Sequence, residues 1–171
     1  MIFVVVGTQL PFDRLVQAVD AWAGEAPRGE ILAQVADGTY SPKHIRWERT
    51  IAPQEFRACI EQAHLIVAHA GMGTILSALE LGKPVIVLPR QARYGEHRND
   101  HQLATAAKFG SRQMVQVAQD ETQLREMLNQ FEQNQSQTGP GRITADASPE
   151  LIGNLRKFIE DAAPDRRRVQ A

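Results

Sequence analysis

Cysteine is nearly absent from this sequence. The 171 residues contain one, Cys59, so no internal disulfide can staple the fold, and that suits a reducing compartment. On a helical stretch Cys59 reads as a small apolar residue. Long apolar runs are also missing: no stretch approaches the roughly 20 residues of a membrane span. The N-terminus opens straight into the apolar residues 2–6, without the basic region of a secretory signal. A membrane role would have to come through a surface patch or a partner. Charge of one sign is lacking as well. The net charge is −1 and only two tyrosines are present, so there is no stacking platform on a basic face and a nucleic-acid partner is not expected. No internal repeat is visible.

What is present is a chain with 43% hydrophobic residues, enough for one compact domain. Short β-branched runs alternate with helical spacings. Residues 2–6, 31–36, 64–68 and 85–88 read as strands, with a weaker strand at 44–51 and a short last one at 113–117. Helices are expected over 13–23, over 54–63 after Pro53, over 74–81, over 100–108 up to a stop at Gly110, and over 120–131 with Asp120 as N-cap. Strand and helix alternating five or six times predicts an α/β fold, a Rossmann-like parallel sheet with helices on both faces. The domain plan is a body over 1–131, a Gln/Ser/Thr/Gly/Pro-rich linker or loop over 132–149, a helix over 150–163 completing the domain, and a frayed basic tail over 164–171.

Ligands of such sheets sit beyond the carboxyl ends of the strands, which singles out three loops. The first carries Gly7, Thr8 and Gln9: a glycine that permits close approach and two neutral hydrogen-bonding side chains. A plain strand-to-helix turn would use the same residues. The second is His69-Ala-Gly71-Met72-Gly73-Thr74, two glycines ahead of a helix whose first N–H groups form an anion site. Position 76 is Leu, so this is not the dinucleotide fingerprint, and no Gly-Lys-Ser/Thr makes it a P-loop. Ser77 lies one turn along that helix, near a ribose if the loop holds a diphosphate, and Glu80 lies further on, ribose-binding or merely solvated. The third loop is basic: Lys83, Arg90, Arg93, Arg98, Lys108 and Arg112 face only Glu96 and Asp100, which suits an anionic ligand. His97, Asn99, Asp100, His101 and Gln102 gather polar groups fit for sugar hydroxyls. His97 and His101, four apart, also permit a metal reading, but without the H-E-x-x-H pattern no metal site is expected. A nicotinamide-dependent sugar-nucleotide enzyme would need Tyr-x-x-x-Lys; Tyr40 is followed by His44 and Tyr94 by Arg98.

Three stretches together resemble a known family. They are His69-Ala-Gly-Met-Gly-Thr, Leu81-Gly-Lys-Pro-Val-Ile-Val-Leu-Pro-Arg, and Gly95-Glu-His-Arg-Asn-Asp-His-Gln-Leu-Ala. They are similar to the C-terminal domain of family 28 glycosyltransferases, above all its small stand-alone forms in dolichol-linked, exopolysaccharide and capsule assembly. Val6-Gly-Thr-Gln and Pro11-Phe-Asp-Arg-Leu resemble the start of those subunits.

The resemblance implies the donor half of a GT-B fold split between two chains. It implies an inverting, UDP-sugar-dependent hexosyltransferase subunit for polysaccharide biosynthesis, acting on a lipid-linked saccharide acceptor. A membrane-associated partner would supply the acceptor half and the general base, at the cytoplasmic face of the membrane. No cofactor or required metal is implied. Gly7, Thr8, Gln9, His69, Gly71, Met72, Gly73 and Thr74 would bind the diphosphate, and Ser77 and Glu80 the ribose. Arg90, His97, Arg98, Asn99, His101 and Gln102 would hold the sugar or stabilise charge. Many relatives carry an acid at the position of Ser77, so the ribose contact is where this sequence departs. The rival expectation is a non-catalytic enhancer of a partner transferase.

Overall fold

The computed structural model describes residues 1–111 and 115–134. Along them run β1 (Ile2–Val5), α1 (Asp13–Ala23), β2 (Ile31–Gln34), β3 (Arg46–Glu48), α2 (Pro53–Gln62), β4 (Leu65–His69) and α3 (Met72–Glu80). Then follow β5 (Val85–Leu88), a 3₁₀ turn (Ala92–Tyr94), α4 (His101–Ser111), β6 (Gln116–Val117) and α5 (Glu121–Gln133). The six strands form one parallel sheet in the order β3-β2-β1-β4-β5-β6. The expected α/β, Rossmann-like architecture is what forms.

The sheet is covered on both faces, which explains why its central strands are apolar throughout rather than alternating. Ile2 and Val4 of β1 pack with α1 and with Leu124 and Leu128 of α5. Phe3 and Val5 pack on the other face with residues of α2 and α3 and with Ala106 of α4. Trp22 of α1 is fully buried, and its indole N–H donates to Asn129 of α5 at 2.8 Å, so the large ring spends its one polar atom as it packs. β3 is the described sheet's edge, and all three of its residues are exposed.

Some boundaries differ from the sequence expectation. β2 ends at Gln34, because Ala36 turns to φ 48°. α4 does not stop at Gly110 but runs through it to Ser111. A Cβ at Gly110 would lie 2.9 Å from Val117, so this glycine lets the helix approach β6 rather than ending the helix. α5 continues past Phe131 to Gln133, with Asp120 capping it by accepting from the Gln123 N–H at 2.8 Å. The expected linker beyond residue 134, the C-terminal helix and the basic tail lie outside the described residues.

Strand order reverses at β1, which has β2 on one side and β4 on the other. Chains leaving β1 and β4 diverge there, and a crevice opens beyond their carboxyl ends.

Candidate functional site

That crevice is a cleft of about 700 Å³, within the range of roughly 300–1,000 Å³ typical of small-molecule sites. Gly7, Thr8 and Gln9 line it from the end of β1, and His69, Gly71, Gly73, Thr74 and Ser77 from β4 and α3. Arg90, His97, His101 and Gln102 complete it from the loop after β5. Residues from all three loops singled out in the sequence meet here.

His69 is the hinge of the arrangement. Its ring lies between the first two loops: a Cβ on Gly7 would come within 2.7 Å of Nε2, and one on Gly71 would collide with the same atom. Gly7 must also be glycine for its φ of +82°. Burial pushes the His69 pKa down to about 4; the carbonyl of Val5 pulls the other way, and Arg90 and His97 add to the lowering. The ring is therefore neutral at pH 7, with its proton on Nδ1, which donates to the Val5 carbonyl at 3.3 Å. Nε2 is then an acceptor, and the residue acts on the site by spacing the two glycine loops.

α3 starts without a side-chain cap. Among the described residues no partner takes the N–H of Met72, Gly73 or Thr74, so three donors at the positive end of a helix are available. Gly73 has nothing within 4 Å of where its Cβ would be: the space over it is the cleft. The N–H groups of Gly7, Thr8 and Gln9 likewise have no partner among the described residues. Both segments border one cavity whose lining, among the described residues, includes no carboxylate.

The third loop is braced from α1. Arg14 meets Glu96 through two bonds, 2.6 and 2.9 Å, and donates to the Pro89 carbonyl at 3.0 Å. Glu96 also accepts from the Gln91 N–H at 2.9 Å. Burial alone would lower the Arg14 pKa; the bonds to Glu96 and Glu121 outweigh it and raise it. Gln102 is buried, its Oε1 accepting from the Arg90 N–H at 3.1 Å, which leaves its NH₂ as the group to offer a ligand. The His97 and His101 rings meet edge to face, centroids 4.4 Å apart. Partial burial, then His101 and the nearby arginines, lower the His97 pKa. Among the described residues no three His, Cys, Asp or Glu converge as metal ligands.

Some expected site residues stand elsewhere. Glu80 ends α3, exposed and outside the cleft lining, and the polar residues that α3 brings to the cleft are Thr74 and Ser77. Arg98 and Asn99 are exposed and do not line the cleft either; Asn99 Oδ1 pairs with His101 Nδ1 at 2.6 Å. Met72 is not part of the cleft lining and is 48% exposed; its N–H has no partner among the described residues. Arg90 borders the cleft but is 2% exposed, its guanidinium bound by four carbonyls, so it does not reach out to a ligand. Burial lowers its pKa to about 10, against the pull of Glu96, and it stays charged. Gln34, Ile51, Pro53 and Phe56 also line the cleft, unmarked by any sequence motif, with Gln34 against the loop after β1.

The glycosyltransferase family 28 C-terminal domain model matches residues 1–150. The chain belongs to this family. UDP-N-acetylglucosamine transferase subunit ALG13 of Mus musculus is 33% identical over 106 residues, which is 56% of this chain and 9% of that protein. The chain spans about a tenth of the length of the curated relatives it matches. An NMR solution structure of ALG13 superposes with a TM-score of 0.54 at 18% identity, covering 90% of this chain and 93% of that one. A putative UDP-N-acetylglucosamine 2-epimerase from Listeria monocytogenes superposes at 0.62 with 11% identity, covering 95% of this chain and 45% of that one. These structural likenesses show the fold alone: an α/β domain equivalent to the C-terminal half of GT-B glycosyltransferases.

Proposed function

We propose that the chain binds a UDP-sugar by its diphosphate and works as the donor-binding subunit of an inverting glycosyltransferase. The observation that carries this reading is the pair of unpartnered N–H sets, after β1 and at the start of α3, bordering one acid-free cleft. A diphosphate needs several donors in a small space and no nearby carboxylate. Ile51, Pro53 and Phe56 give the cleft an apolar wall against which a flat base can lie. Ser77 is the neutral contact for the ribose, and the Gln102 amide and His101 are the groups offered to the sugar.

In the transfer, an acceptor hydroxyl attacks the anomeric carbon from the face opposite the diphosphate. The bond from that carbon to the phosphate oxygen breaks, UDP leaves with the electron pair, and the acceptor proton goes to a base. Charge building on the departing phosphate is held by N–H groups already aimed at it, so nothing reorganises at the moment of reaction. No divalent cation is required in this scheme. The base and the acceptor site belong to a partner subunit, and the relative's designation as a subunit of a UDP-N-acetylglucosamine transferase supports that division. In this scheme the partner also makes the membrane contact. The acceptor is a lipid-linked saccharide at the cytoplasmic face, in polysaccharide assembly.

The test is a transfer assay over a panel of UDP-sugars, with and without the co-expressed partner, in the presence of EDTA. Transfer that needs both chains and survives EDTA is expected. A chain that binds no UDP by calorimetry is instead the enhancer of another transferase, and the donor reading fails.

A further inference from the structure

Four carbonyls of the loop after β1 are taken by two side chains. Arg90 Nη2 takes the carbonyls of Val6 at 2.7 Å and Leu10 at 2.5 Å, and Nη1 takes that of Pro11 at 2.8 Å. Gln34 Nε2 takes the carbonyl of Gly7 at 3.3 Å. Arg90 is itself held by the Glu96 carbonyl at 2.9 Å and lies 4.8 Å from the centre of the Phe12 ring. Gln34 is 4% exposed, fixed at the end of β2.

In a trans peptide the carbonyl and the following N–H point in opposite directions. Drawing the Val6 carbonyl onto Arg90 therefore sends the Gly7 N–H the other way, and drawing the Gly7 carbonyl onto Gln34 does the same for the Thr8 N–H. A carbonyl left facing the cleft would set its negative end against a phosphate. The guanidinium suits the task because its planar fork bonds several acceptors in fixed directions, which an ammonium on a flexible stem does not.

We propose that Arg90 and Gln34 are positioning residues of the phosphate cradle, holding the carbonyls of Val6, Gly7, Leu10 and Pro11 so that the N–H groups of Gly7 and Thr8 are presented to a diphosphate. The inference rests on the donor reading above and adds the residues that set the loop's polarity. Arg90 acts through the loop's geometry, and its charge alone does not suffice.

The experiment uses the full chain with Arg90→Lys and, separately, Gln34→Met. Affinities for UDP and for uridine are measured by NMR titration, and unfolding by thermal melting. Arg90→Lys keeps the charge and loses the fork; the expectation is at least a tenfold loss of UDP affinity with uridine affinity unchanged within twofold. Gln34→Met, which keeps the volume and loses the donor, is expected to weaken UDP at least threefold with uridine again unchanged, and it carries the test if the arginine variant does not fold. Folded variants that bind UDP like the parent overturn the inference, and so does an equal loss for UDP and uridine, which marks a general loosening. A parent chain that binds no UDP brings down the donor reading, and this inference with it.

Discussion

The imidazole of His69 occupies the space into which a side chain on Gly71 would project. Gly71 has φ −87° and ψ 130°, a conformation open to any residue, so its need to be glycine is steric and comes from His69. Gly71→Ala is therefore expected to cost about 1–3 kcal/mol in stability, as overpacking does. Gly73, two residues on, faces open space. Gly73→Leu is expected to keep the melting temperature, or raise it through the better helix former, while lowering UDP affinity at least tenfold. Melting curves and calorimetry on the two variants check the contrast; equal effects of both changes would contradict it.

How much of this was legible in the sequence follows from how local each feature is. The uncapped helix start at residues 71–74 is readable because a glycine pair ahead of a helix is a local pattern, and the strand over Val85–Leu88 because four β-branched or aliphatic residues lie between turn signals. The role of Arg90 was not readable: its acceptors at Val6, Leu10 and Pro11 are about 80 positions away in the chain, and its place in a basic loop suggested a side chain facing the ligand. Ile51, Pro53 and Phe56 lie between β3 and the first turn of α2, and they join the cleft through packing on a distant strand, Phe56 against Phe3 of β1. Gly110 carried a helix-stop signal that the contact with Val117 overrides.

Burial of His69 makes stability depend on pH. Its folded pKa of about 4 lies below the roughly 6.5 of an unfolded histidine, so the unfolded chain binds the extra proton between those values. The stabilisation is complete above about pH 6.5 and is lost as pH falls toward 4, on the order of 3 kcal/mol in all. Denaturation of the parent and of His69→Asn between pH 4 and 8 checks this. The parent is expected to lose stability more steeply over that window, and parallel curves would contradict the assignment.

Thr74 and Ser77 are the neutral polar residues with which α3 lines the cleft, Ser77 being the one proposed for the ribose, and the acid Glu80 does not line it. A neutral hydrogen bond contributes about 0.5–1.5 kcal/mol and one to a charged group about 1.5–3 kcal/mol. The parent is expected to prefer UDP over 2′-deoxy-UDP by less than about tenfold, and Ser77→Glu to widen the ratio beyond that. Calorimetry with both nucleotides decides; a parent that already discriminates by a hundredfold would contradict the neutral ribose contact.

Arg14 and Glu96 are 13% and 9% exposed at their side chains, so removing one leaves a buried charge behind. Glu96→Ala is expected to cost roughly 3 kcal/mol and to free the loop carrying His97 and His101. Arg125 and Glu25, 57% and 36% exposed, are expected to contribute under about 1 kcal/mol. Chemical denaturation of the two alanine variants, Glu96→Ala and Glu25→Ala, checks the order, and equal losses would contradict it.

The most direct measurement follows the backbone amides while UDP is titrated into the ¹⁵N-labelled chain. The N–H resonances of Gly7, Thr8, Met72, Gly73 and Thr74 are expected to move together along one saturable curve, since both loops close on the same pyrophosphate. If UDP binds and those five stay in place, or only one of the two loops responds, the cradle described here is not where the nucleotide sits.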